Sequence, residues 1–309
     1  MALTDDTSPT RLFVLGTGRS GTTTCAELLS GLPGCRVIHQ MQPVLLEEIT
    51  RYLKGDISHA QMVNLLTTTR AVHLPGGERL SGEVNQRLSF VLPALAEAFP
   101  DAKYLWVIRD GRDAVASMHS RQWYHPREAQ IRHPDLKQWA TNRITADCVG
   151  EMTSAGWDGL DSFARCCWYW AYTNRTIEQQ ARALDLDLRL IRLEQLSEAM
   201  PDILAFLGLA DLKAPDIPHA NRSTASPYAR WWRGPTHWSR WTTRQRNTFA
   251  EHAGALMDRH YPEWAGQWHS LRSGTVQRLL YHAAKSSCVA ACDCSHPLRR
   301  RLAPARRAA

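Results

Sequence analysis

The apolar positions of this chain form short continuous runs that alternate with longer stretches of helical spacing. Continuous runs at residues 12–15, 104–108 and 188–193 predict buried strands. Between them, apolar residues recur every three or four positions, as at 88–99 and 161–184, which predicts amphipathic helices. Strands interleaved with helices favour an α/β fold, with a mostly parallel central sheet flanked by helices.

The remaining patterns predict shorter elements and one long excursion. Residues 35–39 predict a strand, residues 43–70 two helices with a break at 55–58, and residues 74–82 a loop. The stretch 122–158 is polar, rich in His and Trp, and has little periodicity. We interpret it as a lid-like excursion with a helix near 136–146. Two more helices are predicted at 194–208 and 243–260.

The chain divides into three predicted segments: a flexible N-terminus at 1–10, one domain at 11–272, and a C-terminal helix with a basic tail at 273–309. The tail contains Cys288, Cys292, Cys294 and His296, followed by three arginines. The spacing of these residues fits no zinc pattern, so a metal site there is the less favoured alternative. We interpret the tail as a solvated terminus and not as a nucleic-acid arm.

Composition narrows the class of protein. Hydrophobic residues make up 44% of the 309 residues and charged residues 22%, which is ordinary for a globular protein that needs no disulfides. No apolar run approaches a membrane span, and the polar first residues do not resemble a signal peptide. We therefore expect a cytoplasmic protein whose eight cysteines are reduced. The net charge of +7 suits an anionic ligand.

The first candidate site is the Gly-rich turn GTGRSGTT at residues 16–23. It follows a predicted strand and precedes helical spacing, which is the geometry that holds a phosphate through backbone N–H groups and a helix N-terminus. Arg19 adds a charge, and Thr22 and Thr23 add hydroxyl groups. The turn lacks the Lys of the nucleoside-triphosphatase pattern GxxxxGK[ST]. A triphosphate bridged by Mg²⁺ is therefore not the expected ligand.

A second motif, IRDGRDAVAS at residues 108–117, follows the next predicted strand. Ser117 lies eight residues after Arg109, about two helical turns, so both side chains can converge on one group. The pair GTGRSGTT and IRDGRDAVAS resembles the sulfotransferases that use 3′-phosphoadenosine 5′-phosphosulfate (PAPS). The late segment at 229–243 is also similar to that family, with Arg233 and Gly234 at its basic-Gly pair.

The resemblance implies a P-loop-like sulfotransferase fold that moves a sulfuryl group from PAPS to a hydroxyl or amine of a small acceptor, with no metal required. Nucleic acid and membranes are not expected as partners. In the family the first motif holds the 5′-phosphosulfate, and the Arg and Ser of the second hold the 3′-phosphate. The implied donor-binding residues are Gly18, Arg19, Ser20, Gly21, Thr22, Thr23, Arg109, Ser117, Arg233 and Gly234.

The general base is the open question of the sequence. Relatives carry a glutamate about twenty residues after the basic residue of the loop, and His39 occupies that place here. Imidazole accepts protons near neutral pH, which favours His39. Glu83 is the second candidate, and Glu47 or Glu48 a third. Arg19 is expected to stabilise the transferring group.

One departure from the family pattern bears on catalysis. Val84 stands where many relatives have a lysine that neutralises the transferring group, so Arg19 serves alone or Arg87 assists. His73, in a segment similar to KTHLP of phenol and steroid sulfotransferases, lies too far before Arg109 to match. Two rival functions therefore remain: an ATP-dependent phosphotransferase and an inactive nucleotide-binding protein.

Overall fold

The computed structural model describes residues 9–71, 78–126, 128, 131–215 and 237–273. The predictions for Arg233, Gly234, His73 and the cysteine-containing tail lie outside these residues. The chain divides into two units, up to Tyr261 and from Pro262 onward. In the second unit, a helix runs over Trp264–Ser273. The three segments predicted from the sequence stay a prediction.

A five-stranded parallel sheet forms the centre of the first unit and confirms the predicted fold class. The strand order is β2-β3-β1-β4-β5, and every neighbouring pair is parallel. Parallel strands need crossover connections, which here are helices. The strands are β1 (Thr10–Gly16), β2 (Cys35–His39), β3 (Leu80–Val84), β4 (Lys103–Ile108) and β5 (Leu188–Arg192).

Eleven helices are formed by the described residues, and none of them is long and apolar enough to cross a membrane. Several begin at side-chain caps: Asp161 accepts a hydrogen bond from the N–H of Ala164, and Thr242 forms a capping box with Gln245. The helices are α1 (Thr22–Ser30), α2 (Leu46–Leu53), α3 (His59–Ala71), α4 (Leu92–Ala98), α5 (Gly111–Ser120), α6 (Pro134–Thr141), α7 (Ser154–Asp158), α8 (Ser162–Ala183), α9 (Leu196–Phe206), α10 (Thr243–His260) and α11 (Trp264–Ser273).

The central strand β1 is buried on both faces, as its continuous apolar run predicts. Leu12 and Val14 belong to a cluster that includes side chains of α1 and α9. Phe13 points to the opposite face, where its ring lies 5.3 Å from that of Phe99 and 6.0 Å from that of Tyr104. Packing on both faces holds β1, and therefore the turn that follows it, in position.

Three elements differ from the sequence prediction. Residues 80–82 belong to β3 and not to a loop, because they pair with both β1 and β2. The predicted helix at 88–99 begins as a 3₁₀ turn and becomes α4 only at Leu92, where Pro93 occupies the first turn. Strand β5 lies at the sheet edge, and its Leu190 is 44% exposed, so it is not fully buried.

Glu83 forms a buried ion pair beneath the carboxyl end of β3. Its two carboxylate oxygens accept hydrogen bonds from Nε and Nη2 of Arg70, at 2.8 and 3.1 Å, and both side chains are fully buried. Asn85 donates a further bond to Glu83 at 2.8 Å. The carboxylate is therefore fully engaged in holding α3 to the sheet.

We expect Glu83→Gln to lower the free energy of unfolding by about 3–5 kcal/mol, because it leaves the buried Arg70 charge without a counter-ion. Urea denaturation measures this loss. Glu97→Gln is the matched control, since Glu97 pairs with His59 at the surface and its change should be small. A Glu83→Gln protein of unchanged stability would contradict the structural role assigned to this pair.

Candidate active site

An open cleft of about 710 Å³ lies at the carboxyl ends of the parallel strands. Ligands of open α/β sheets bind at this edge, because the loops that follow the strands converge there. The cleft contains most of the residues predicted from the two motifs, together with residues of the excursion after α5. It is lined by Gly18, Arg19, Gly21, Thr22, Thr23, Thr24, His39, Gln40, Gln86, Arg109, Trp123, Leu136, Trp139, Arg143, Leu193, Glu194, Leu196 and Ser197.

The turn after β1 is held from beneath by hydroxyl groups. Ser89 accepts a hydrogen bond from the N–H of Gly16 at 3.1 Å and donates one to its carbonyl oxygen at 3.2 Å. The hydroxyl groups of Thr17 and Ser20 bond to each other, and both side chains are fully buried. Ser20 thus supports the turn with its side chain, so we assign any ligand contact of Ser20 to its backbone.

Two glycines shape this turn for different reasons. Gly21 has a φ of 84° just before α1, a left-handed conformation that favours glycine. Gly18 is needed for close approach, since a Cβ there would lie 2.3 Å from Oε1 of Gln86 and 2.4 Å from the ring of Trp123. The turn therefore packs directly against two cleft residues that lie far away in sequence.

Arg19 and Arg121 converge on Ser117, and Arg109 is bonded to the backbone of Arg19. Nε of Arg19 donates to the Ser117 hydroxyl at 3.2 Å, and Nη1 of Arg121 donates to the same oxygen at 2.9 Å. Nη1 of Arg109 donates to the carbonyl oxygen of Arg19 at 3.0 Å. The second motif is thereby joined to the first through Arg19, which contacts both Ser117 and Arg109. The convergence of Arg109 and Ser117 on one bound group stays a prediction.

The proximity of these three side chains has an electrostatic consequence. Burial, with the charges of Arg121 and Arg109, lowers the pKa of Arg19 to about 9. Burial and the charge of Arg109 lower the pKa of Arg121 to about 10. Arg19 and Arg121 therefore stay charged at neutral pH, and an anion bound beside them would relieve an unfavourable arrangement.

Arg121 is a functional candidate that the sequence analysis missed. It lies just after α5, four residues beyond Ser117, and this spacing places both residues on one helical face. The signal for Arg121 in the sequence is its place one helical turn after Ser117.

Glu194 is the one acidic side chain among the described residues of the cleft. Its Oε1 accepts a hydrogen bond from the N–H of Asp110, and its Oε2 accepts one from the hydroxyl of Tyr261, each at 2.9 Å. Burial and the Glu194 charge raise the pKa of Tyr261, which therefore stays a donor. Glu194 thus fixes the turn that carries Arg109, and both of its oxygens are occupied.

His39, at the end of β2, lines the cleft beside the turn. Its Nε2 lies 3.3 Å from the hydroxyl oxygen of Thr22. Burial, followed by the charge of Arg19, lowers the pKa of His39. The imidazole is therefore neutral at neutral pH, and in the Nδ1–H tautomer its Nε2 is a proton acceptor that faces the anion site.

The other candidate bases lie elsewhere. Glu83 is tied to Arg70, is fully buried and does not line the cleft, which argues against the catalytic role predicted for it. Glu47 and Glu48 lie in the first turn of α2, also outside the cleft. His39 is therefore the candidate whose position suits the task.

Many relatives have a lysine at the position of Val84, and Arg87 is a possible substitute for it. Neither residue lines the cleft. Val84 is the last residue of β3 and is fully buried. Arg87 is buried as well, and its guanidinium donates to the carbonyl oxygens of Leu46 and Asn142. Arg87 therefore ties α2 to the excursion after α5. Of the two arginines that the sequence offers in place of the lysine, Arg19 lines the cleft and Arg87 does not.

The excursion after α5 supplies the outer wall. Trp123 and Trp139 line the cleft, whereas Tyr124 is buried and donates to the carbonyl oxygen of Ile144 at 2.6 Å. The guanidinium of Arg143 packs 4.0 Å from the ring centre of Trp123, and its Nε is bonded to Glu128 at 2.8 Å. The wall is thus an aromatic surface, supported by Arg143, whose charge is paired with Glu128.

We expect the imidazole of His39 to titrate below the ordinary value of about 6.5, because burial and Arg19 both disfavour its charged form. Arg19→Gln should raise this pKa by removing the positive charge. Arg36→Gln is the control, since Arg36 is an exposed residue of the same strand. NMR titration of the ring protons measures both values, and an unchanged pKa in Arg19→Gln would contradict the electrostatic coupling.

Part of this chain is similar to known sulfotransferases. Residues 9–154 match the sequence model described as the sulfotransferase family. No curated protein matches the chain. A sulfotransferase from Alicyclobacillus acidocaldarius shares 17% identity over 81% of this chain and 94% of its own, with a TM-score of 0.43. The sulfotransferase domain of the Synechococcus PCC 7002 olefin synthase shares 14% identity over 82% of this chain and 96% of its own, with a TM-score of 0.45.

The matched segment contains the turn after β1, His39, and the cluster of Arg109, Ser117 and Arg121. The match of residues 9–154 to the sulfotransferase family model agrees with the resemblance carried by the two motifs.

Proposed function

We propose that this protein transfers a sulfuryl group from PAPS to a hydroxyl group of a small acceptor and releases 3′,5′-bisphosphoadenosine. The observation that carries the proposal is the cluster in which Arg19 and Arg121 bond to Ser117 and Arg109 bonds to the backbone of Arg19, one strand away from the turn after β1. Two anion sites so close together suit a ligand with phosphate at both ends of a nucleoside. The match of residues 9–154 to the sulfotransferase family model supports sulfuryl transfer in general.

The two sites divide the donor between them. The backbone N–H groups from Ser20 to Thr23 and the N-terminus of α1 would hold the 5′-phosphosulfate. Arg109, Arg121 and the Ser117 hydroxyl would hold the 3′-phosphate. Arg19 lies between them and contacts Ser117. Contacts from Arg233 and Gly234 belong to the same proposal, on the strength of the family resemblance alone.

The reaction needs a base, an anion-stabilising site and alignment. His39 would accept the hydroxyl proton at Nε2 as the acceptor oxygen forms its bond to sulfur. The bond from sulfur to the bridging oxygen breaks, and its electron pair stays on the phosphate of the leaving nucleotide. Arg19 and the N–H groups of the turn would stabilise the charge that develops on this oxygen and on the sulfuryl oxygens. No metal takes part in this scheme.

The rival functions explain fewer observations. A phosphotransferase that uses ATP would leave the cluster around Ser117 without a ligand group, since ATP has no 3′-phosphate. An inactive nucleotide-binding protein would need no imidazole beside the turn. The buried Val84 stays the feature that favours an inactive protein, and the cytoplasmic location expected from the sequence stays a prediction.

Arg121→Ala should weaken binding of 3′,5′-bisphosphoadenosine about 10- to 150-fold, the scale of one lost charged hydrogen bond. It should change the affinity for AMP, which lacks the 3′-phosphate, far less. Titration calorimetry measures both. Arg189→Ala is the matched control, because this exposed arginine of β5 does not line the cleft.

Equal losses for the two nucleotides would remove the 3′-phosphate assignment. Preferential stabilisation of the wild-type protein by ATP with Mg²⁺, measured as a shift in Tm, would favour the phosphotransferase instead.

His39→Ala should lower kcat about 10²- to 10⁴-fold, the usual contribution of a general base, and leave donor binding almost intact. The acidic limb of the pH–rate profile should flatten. In the wild-type enzyme this limb should lie below about 6.5, because protonation inactivates His39 and its pKa is lowered. Steady-state kinetics with labelled PAPS measures both effects.

Glu48→Gln is the companion variant for this test. Glu48 is a candidate base by sequence, but it lies outside the cleft, so its kcat and pH profile should match wild type. Unchanged turnover and an unchanged acidic limb in His39→Ala would end the assignment of the base.

A further inference from the structure

Gln86 is a polar residue that is almost fully buried, yet its carboxamide forms no hydrogen bond with any described residue. Only 7% of its surface is exposed, and it lines the cleft. Buried polar groups of native proteins are hydrogen-bonded, and an exception calls for an explanation. Gln40 also lines the cleft, but it is half-buried, so water can satisfy its amide. The carboxamide of Gln86 therefore points to a ligand in the cleft.

The place of Gln86 in the sheet puts it between the two halves of the proposed reaction. It follows β3, which lies between β2 and β1. Val84, the last residue of β3, pairs with His39 of β2 on one side and with Val14 of β1 on the other. The chain after Val84 thus leaves the sheet between the candidate base and the turn after β1.

The carboxamide of Gln86 lies directly against that turn. A Cβ on Gly18 would come within 2.3 Å of its Oε1 and 3.2 Å of its Cδ. Oε1 is thus the arm of the amide that faces the glycine, and Nε2 is the arm that carries two N–H donors. The oxygens of an anion at this turn only accept hydrogen bonds, so the N–H groups of Nε2 complement them.

Both neighbours of Gln86 are held by hydrogen bonds, which fixes the backbone that carries its amide. Asn85 donates to Glu83 and accepts from the N–H of Arg87, at 2.8 and 2.9 Å. The guanidinium of Arg87 donates to the carbonyl oxygen of Leu46 at 2.8 Å. A donor on a fixed backbone is preorganised, so little reorganisation is needed when charge develops beside it.

We propose that Gln86 is a further catalytic residue, whose Nε2 donates a hydrogen bond to a sulfuryl oxygen of the bound donor and keeps it during transfer. This inference rests on the proposed function. Gln86 makes and breaks no covalent bond. The acceptor oxygen bonds to sulfur, the bridging oxygen leaves with its electron pair, and the amide stabilises the sulfuryl oxygens throughout. It adds a neutral donor to those already assigned to Arg19 and the turn.

A neutral donor at this place suits the base. Burial, followed by the charge of Arg19, lowers the pKa of His39. A further cation in the position of Gln86 would act in the same direction and weaken the base further. An amide stabilises anionic oxygens by hydrogen bonding and adds no net charge.

The test uses two nucleotides, because PAPS contains the sulfuryl group and 3′,5′-bisphosphoadenosine lacks it. Gln86→Met should weaken binding of PAPS about 10-fold, the scale of one lost hydrogen bond to a charged group, and leave the affinity for 3′,5′-bisphosphoadenosine unchanged. Gln86→Glu places a negative charge against the sulfuryl oxygens and should weaken binding of PAPS further. Titration calorimetry measures these affinities. Unchanged PAPS affinity in both variants, or equal losses for the two nucleotides, overturns the proposal.

Turnover tests the catalytic part. It is followed as 3′,5′-bisphosphoadenosine released from PAPS in aqueous methanol, where methanol and water serve as small acceptors. Gln86→Met should slow this release about 10²- to 10³-fold, the usual cost of removing one donor that stabilises developing charge. Its Tm should not fall, because the change removes a buried polar group that has no partner. Release at the wild-type rate overturns the catalytic role, and a marked loss of Tm would assign Gln86 a structural role instead.

Gln180→Met is the matched control. The amide oxygen of Gln180, in α8, is also buried without a hydrogen bond, but this residue does not line the cleft. Its affinities and turnover should therefore match wild type, and a change as large as that of Gln86→Met would overturn the proposal.

The proposed function and this inference fail differently. A wild-type protein that binds PAPS and transfers its sulfuryl group, with Gln86→Met equal to it, retains the proposed function and loses this inference. A wild-type protein that neither binds PAPS nor transfers its sulfuryl group loses both.

Discussion

Three arginine side chains lie close together, two of them bonded to the hydroxyl of Ser117, and their mutual repulsion is the constraint on which the site depends. Asp113 lies 3.7 Å from Arg109 and offsets part of this charge. Glu194 lies nearby, but its oxygens are bonded to Asp110 and Tyr261. Folding therefore brings positive charges together in a partly buried cluster, where salt screens their repulsion less than it would at the surface. Such a cluster would be stabilised by a bound anion, which is the physical basis for proposing a phosphate ligand beside it.

The scaffold keeps these charges in place with neutral or internally paired groups. Ser89 fixes the end of β1 through two hydrogen bonds to Gly16. The buried pair of Arg70 and Glu83 holds α3 to β3 without adding net charge. Asn85 bonds to Glu83 and accepts from the N–H of Arg87, which sets the turn that carries Gln86 to the cleft. Rigid support of this kind lets the turn after β1 retain its shape without a ligand.

The sequence predicted the parts of the site that depend on local spacing. The strand–turn–helix unit after β1, the helix that carries Ser117 after β4, and His39 at the end of β2 each follow from a pattern within a few tens of residues. The role of Glu83 could not be predicted this way, because its partner Arg70 comes from a separate helix. The contacts of Gly18 with Gln86 and Trp123 are also long-range, so no periodicity reveals them. The Gly-rich sequence before β3 predicts a loop that includes its first residues. The structure differs because pairing with β1 and β2 decides the conformation of this strand.

The electrostatic effect of Arg19 on His39 links the two halves of the proposed reaction. Burial, followed by the positive charge of Arg19, lowers the pKa of His39 and weakens it as a base. A donor bound at the turn brings negative oxygens to Arg19, which offsets that charge and raises the pKa of the imidazole. His39 would then become a stronger base when the sulfuryl group is in place. Because Arg19 also contacts Ser117, occupancy of the 3′-phosphate site acts on the same arginine. Activation of the acceptor is thereby made to depend on a complete donor, through one side chain that both anion sites share.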